Sequence, residues 1–230
     1  MSLPIILALD TKDLTQAKQW IKASIDQIDH FKIGLEFYLH HGSDGIMGLQ
    51  EFADFKLFLD LKLYDIPNTV KGAVESVSKL SPKFLSVHAS GGAKMIEVAS
   101  NSLPNGSITA VTVLTSFSEE EFATMGYNSS IAKITDLWAS TAVKAGATSL
   151  VCSPFEVANL RSKFKETTLI TPGVRAEGDD LADQSRVMSA SEALSNGADF
   201  VVIGRSITSQ WDGSDLKMRR KIEVIAKSLG

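Results

Sequence analysis

The chain is 230 residues long, 44% hydrophobic and 22% charged, with a formal charge of −4 from 23 Lys and Arg against 27 Asp and Glu. That balance is that of a folded globular protein and excludes a disordered, collagen-like or disulfide-stapled chain. The negative sign removes the basic footprint of a general nucleic-acid binder, so no nucleic acid is expected as a partner and any phosphate must be held locally.

The apolar runs, such as Ile5–Leu9 and Phe200–Ile203, fall far short of the roughly 20 residues of a membrane-spanning helix, so no membrane partner is expected. Met1-Ser2 passes into Leu3-Pro4-Ile5 without a basic or long apolar leader, and a lone cysteine, Cys152, provides neither an internal disulfide nor a thiolate cluster. Both features point to a reducing, cytoplasmic setting. The dense basic run Lys217, Arg219, Arg220 and Lys221 has the spacing of a solvated helix face.

In chain order, Ile5–Leu9 reads as a first buried strand ended by Asp10, and Asp13 or Thr15 can cap the helix behind it. Phe31–Leu35 is the second strand and carries Lys32; Ser43 or Asp44 can cap the second helix. Leu57–Leu61 is the third, running on into Lys62-Leu63-Tyr64-Asp65, with Pro67 suited to the first turn of the next helix. Phe84–His88 is the fourth and Ile108–Leu114 the fifth, ending at Thr115, after which Ser118 and Glu121 have capping-box spacing. Ser149–Cys152, Thr168–Thr171 and Phe200–Ile203 complete the set, and Gly146 and Gly197 each follow a helical run and precede a strand.

Eight β–α units in 230 residues average about 29 residues each, the length of a crossover unit in a compact (β/α)8 barrel. A doubly wound open sheet is the competing fold, but it usually carries a glycine-rich turn after its first strand, where this chain reads Leu9-Asp10-Thr11-Lys12-Asp13. No linker or composition break divides the chain. The expectation is a single-domain (β/α)8 TIM barrel over residues 1–230.

In such barrels the active site lies at the C-terminal ends of the strands. Asp10, Lys32, Asp60, Lys62 and His88 all fall there. Asp60 and Lys62, two residues apart on an extended segment, should project from one face. An edge strand with Lys62 in solvent is the bland alternative, but Leu57, Phe58, Leu59, Leu61 and Leu63 leave the strand no other polar positions. A lysine held among carboxylates in an apolar strand is suited to donate a proton. Arg205, preceded by Gly204 and following the last strand, occupies the phosphate-binding position common in these barrels. The polar stretch Gly173–Arg186 reads as a lid carrying Arg175 and Gln184 towards a ligand. Cys152 reads as a buried strand residue rather than a nucleophile, His88 as a hydrogen-bonded core histidine, and His40-His41 lacks the further ligands of a metal site.

The segment Asp60-Leu61-Lys62-Leu63-Tyr64-Asp65-Ile66-Pro67-Asn68-Thr69-Val70 resembles the signature of the orotidine 5′-phosphate decarboxylases. The likeness spans the chain: Ala8-Leu9-Asp10, Phe31-Lys32-Ile33-Gly34, Val87-His88-Ala89-Ser90-Gly91-Gly92, Thr171-Pro172-Gly173-Val174-Arg175 and Val202-Ile203-Gly204-Arg205-Ser206 agree in order and spacing. Tyr64 stands where that family often has His, and Ala176 and Ser206 stand where Pro is common. The resemblance implies decarboxylation of orotidine 5′-monophosphate to UMP without a metal or organic cofactor. It assigns Lys62, Asp60, Lys32 and Asp65 to catalysis, with Lys62 protonating C6. Asp10 and Lys32 would meet the ribose and Asp60 the substrate carboxylate. Thr115 would face the pyrimidine, Gln184, Gly204 and Arg205 the phosphate, and Arg175 would be a further substrate-binding residue. Asp65 and Thr69 would reach a neighbouring subunit's site, making a homodimer with shared active sites the expected assembly. The competing readings are a magnesium-dependent sugar-phosphate decarboxylase or aldolase sharing the Asp-x-Lys-x-x-Asp strand, and a catalytically silent phosphosugar-binding barrel.

Overall fold

A strand covered on both faces has no reason to alternate, and β1 (Ile5–Ala8) is buried at every position. It is followed by β2 (His30–Gly34), β3 (Lys56–Leu63), β4 (Phe84–His88), β5 (Ser107–Val111), β6 (Ser149–Val151) and β7 (Thr168–Thr171). A separate two-residue pair, β8 (Val174–Arg175) and β9 (Met188–Ser189), precedes β10 (Phe200–Ile203). In this computed structural model, which describes residues 2–175 and 188–229, parallel strands close in the order β1-β10-β7-β6-β5-β4-β3-β2. The expected (β/α)8 barrel is what forms, and all eight predicted strands are its staves.

The helices follow their end signals. Asp13 caps α1 (Leu14–Ser24), accepting from the backbone N–H of Thr15 at 2.8 Å and Gln16 at 3.1 Å. α2 spans Leu35–Gln50 and α3 Pro67–Ser78, with its proline in the first turn. After α4 (Ala93–Ser102) come α5 (Glu119–Thr124), whose Ser118–Glu121 capping box forms as expected, α6 (Ile131–Lys144) and α7 (Val157–Lys163). α8 (Ala190–Ser195), α9 (Arg205–Thr208) and α10 (Leu216–Ser228) complete the set. Gly146 and Gly197 end α6 and α8 at φ 98° and 107°, the left-handed turn that a side chain would strain. The basic run lies on α10, where Lys217 pairs with Asp212 and Arg219 with Asp26 and Asp215. It is an ion-paired surface, as its spacing suggested.

Several strand ends shift by one or two residues, and two boundaries differ more. Helix α2 begins at Leu35, directly after β2, and Gly42 breaks it at φ 63°, ψ −158°; Ser43 and Asp44 therefore follow an internal kink rather than open the helix. Strand β5 stops at Val111, and just beyond it Thr112 donates both its N–H and its hydroxyl to the Val151 carbonyl, at 3.1 and 2.8 Å. Thr115 accordingly sits in the loop beyond.

Within the barrel, Ile6, Phe58, Phe84 and Ile170 form a buried cluster with Val151, Phe200 and Val202 packed against it. Ile5, Leu7 and Leu9 instead join the larger cluster beneath the helices, so β1 alternates between two apolar cores rather than between core and solvent. Lower down, His30 tilts against Phe200 with ring centroids 4.6 Å apart and pairs with Asp29, which also accepts from Lys56 at 2.8 Å. The lower barrel is thus plugged, and open space remains at the C-terminal strand ends.

Candidate active site

Those strand ends bring four charges into a row. Lys32 Nζ lies 3.3 Å from Asp10 Oδ1 and 3.4 Å from Asp60 Oδ2, and Lys62 Nζ lies 2.8 Å from the same Asp60 oxygen. The signs alternate, and Lys62 ends the row. Side-chain exposure is 9% at Asp60 and 33% at Lys62, so the carboxylate is held inside while the ammonium reaches open space. Burial raises the Asp60 pKa, but the ammonium groups of Lys32 and Lys62, with hydrogen bonds from Lys62 and Ser86, outweigh it and hold the carboxyl below its ordinary value.

The Asp60–Lys62 contact does not arise from simple alternation. β3 lies between β2 and β4 and is no edge strand, yet its pairing with β4 slips: Leu59 faces Leu85 while Leu63 faces Val87. Four steps of β3 therefore span two of β4, a bulge that re-aims the side chains within it. Lys62 sits in that bulge at φ 49°, a left-handed conformation rare for a residue with a Cβ. Its N–H is bonded by the Ser86 hydroxyl at 2.8 Å, and the same hydroxyl donates to Asp60 Oδ1 at 2.8 Å. Ser86 was not among the residues predicted from sequence; a lone Ser between Leu85 and Val87 gives little signal.

A cavity of about 250 Å³ opens beside the row. Lys32, Asp60 and Lys62 line it together with Phe58, Val111, Val151, Cys152, Pro172 and Val202, and Thr115 also borders it. Charges facing an apolar wall act through low dielectric, where a fixed ammonium stabilises developing negative charge more strongly than in water. Cys152 is fully buried and desolvation pushes its thiol up to about 12, so it serves as wall and not as nucleophile.

Gly204 borders the row. A Cβ there would come 3.3 Å from the Ala8 Cβ and 3.7 Å from Asp10 Oδ2. Arg205, at the start of α9, is exposed, and no carboxylate among the described residues pairs with it. Asp65 and Thr69 are also exposed and stand outside the cavity lining; the Asp65 carboxylate accepts from the Ile66 N–H at 2.6 Å. The backbone of Arg175 belongs to β8, whereas Gln184 and most of the predicted lid lie outside the described residues. His88, expected to be a hydrogen-bonded core histidine, makes no side-chain hydrogen bond among the described residues. It is half-buried, edge-on to Tyr64 at 5.8 Å, and desolvation together with the Lys62 charge lowers its pKa.

Among the described residues, no group of three or more His, Cys, Asp and Glu is placed to hold a metal ion, and no helix is long and apolar enough to cross a membrane.

A family model described as orotidine 5′-phosphate decarboxylase / HUMPS family matches residues 3–215. The chain is 45% identical over 209 residues to a protein of Thermobifida fusca named orotidine 5′-phosphate decarboxylase, covering 90% of each. It is 39% identical to a protein of the same name from a Wolbachia pipientis strain, covering 98% of both. The crystal structure of orotidine 5′-phosphate decarboxylase from Lactobacillus acidophilus superposes with a TM-score of 0.83 at 30% identity, over 99% of each chain.

Proposed function

The chain belongs to the orotidine 5′-phosphate decarboxylase / HUMPS family, and from that premise we propose that it converts orotidine 5′-monophosphate to UMP and CO2, without metal or organic cofactor, using Lys62 as the proton donor to C6. The observation that carries this reading is the Lys62 ammonium, which ends the charge row 2.8 Å from Asp60 and lines an otherwise largely apolar cavity.

The chemistry requires such a group. When the bond from C6 to the carboxylate breaks, the electron pair stays on C6 in the plane of the ring, where the pyrimidine π-system cannot absorb it. A cation beside C6 stabilises that charge as it forms, and transfer of the Lys62 proton to C6 completes UMP. Solvent then reprotonates the amine. Asp60, beside the departing carboxylate, contributes chiefly by fixing Lys62, and its charge repulsion with the substrate is a secondary effect. Lys32 and Asp10 are the ribose-hydroxyl partners, Thr115 faces the base, and Gly204 and Arg205 take the phosphate. Gln184 is assigned to the phosphate, and Arg175 to the substrate more generally, from the sequence alone. A role in pyrimidine biosynthesis carries with it the inference of a cytoplasmic location.

The test is loss of orotidine 5′-monophosphate absorbance with EDTA present throughout. Turnover that persists under chelation is expected. Activity abolished by EDTA and restored by Mg²⁺ would move the chain to the metal-using readings, and absence of turnover under every condition to a binding barrel.

The homodimer is proposed on the same footing. Tyr64 and Ile66 are large, exposed and apolar on either side of Asp65, as expected of a segment covered by a second copy. Mixing inactive Lys62→Ala with inactive Asp65→Ala should then restore part of the activity, because one hybrid site receives both intact residues. No recovery after demonstrated subunit exchange would count against sharing.

A further inference from the structure

We propose that Ser86 is a positioning residue for the Asp60–Lys62 pair: its hydroxyl sets the rotation of the carboxylate and anchors the bulged backbone from which the Lys62 ammonium enters the cavity. The structural part of this inference stands on geometry alone, and its kinetic readout rests on the decarboxylase reading above.

Ser86 is fully buried on β4. Its Oγ makes two bonds of 2.8 Å in opposite senses, donating to Asp60 Oδ1 and accepting from the Lys62 N–H. An ionised carboxylate only accepts and a backbone N–H only donates, so one side chain can serve both only if it carries donor and acceptor on a single atom. With Oδ1 held by Ser86, the plane of the carboxylate is fixed and Oδ2 is left to the two ammoniums, Lys62 at 2.8 Å and Lys32 at 3.4 Å. The second bond acts on the chain itself. Lys62 lies at φ 49° in a stretch where β3 and β4 have lost register, and there the Ser86 hydroxyl, not a regular ladder, takes up its N–H. Ser86 is therefore tied to both ends of the same ion pair. It touches no cavity atom that a substrate would occupy: the lining includes Asp60 and Lys62 but not Ser86.

The experiment compares Ser86→Thr with Ser86→Val. The two substituents have nearly the same shape and add the same bulk, so a loss common to both reports crowding and a difference between them reports the hydroxyl. Ser86→Thr is expected to keep kcat near wild type, and Ser86→Val to lose about 10–100-fold in kcat relative to it, the scale of one hydrogen bond to a charged group. Affinity for the product UMP, read by calorimetry, should be alike in the two. The acidic limb of the kcat profile should move to higher pH in Ser86→Val, because the Asp60 anion has lost a donor. Titration of the Asp60 carboxyl carbon by ¹³C NMR reads the same shift without turnover. A wild type that fails to decarboxylate thus sinks the functional reading, while the titration still decides the positioning role. Should Ser86→Val not fold, Ser86→Ala replaces it under the same criteria. Equal kcat and equal Asp60 titration with and without the hydroxyl would overturn the proposal, as would a loss confined to KM and UMP affinity.

Discussion

Replacing Lys62 with alanine is expected to leave a folded barrel whose turnover of orotidine 5′-monophosphate falls by at least the roughly 10²–10⁴-fold that a positioned proton donor contributes. The fold should survive for local reasons. Alanine carries the same Cβ at φ 49°, so the backbone meets no new strain, and Asp60 keeps Lys32 at 3.4 Å and the Ser86 hydroxyl at 2.8 Å. The chemistry should not survive. The neighbouring cation, Lys32, stands between Asp10 and Asp60 at 3.3 and 3.4 Å, and leaving that position would uncover two carboxylates. Circular dichroism and melting establish the fold, and single-turnover kinetics the chemistry. A folded variant with near-normal kcat would remove Lys62 from the mechanism.

The second large effect is expected far from C6. Arg205→Ala should lower kcat/KM for the nucleotide by roughly 30- to 1000-fold, the equivalent of 2–4 kcal/mol for losing the partner of a phosphate dianion. Arg205 is exposed, beside a glycine whose missing side chain keeps the backbone next to Asp10 open. Binding energy at a non-reacting group raises the rate when it is realised in the transition state. Orotidine, which lacks the phosphate, serves as control: it should react slowly with wild type and variant alike. Equal slowing of nucleoside and nucleotide would mean that Arg205 acts on the fold or on C6, and the phosphate assignment would be wrong.

Much of this was legible in the sequence. Buried parallel strands are short uninterrupted apolar runs, so Phe84–His88, Thr168–Thr171 and Phe200–Ile203 could be read to the residue. Helix ends that rest on side-chain caps, such as Asp13 and the Ser118–Glu121 box, could be read as well. The row of Asp10, Lys32, Asp60 and Lys62 was visible because charges in apolar strands need partners. What escaped depends on neighbours distant in the chain. The bulge at Lys62 is marked by no glycine and is a property of how β3 meets β4. Ser86 reaches its partner 26 positions away. The apolar wall is assembled from Val111, Val151 and Val202, single residues of three separate strands. Periodicity describes each strand on its own and is blind to such assemblies.

The bulge in β3 also bears on how durable the protein is. A barrel selected for endurance alone would continue the plain aliphatic pattern of β1, whose four residues Ile5–Ala8 are all buried and uncharged. β3 instead carries a carboxylate that is 7% exposed, an ammonium, and a left-handed residue that by itself costs roughly 1–2 kcal/mol. Buried ion pairs are often no more favourable than the hydrophobic residues that could replace them. On the proposed assignment, the strand that carries the proton donor gives up stability that β1 keeps, and changes that make it more strand-like are expected to favour the folded state at the expense of turnover. On the same assignment, damage here should differ in kind from damage to the plugged lower barrel, leaving intact, long-lived molecules that have lost only their reaction.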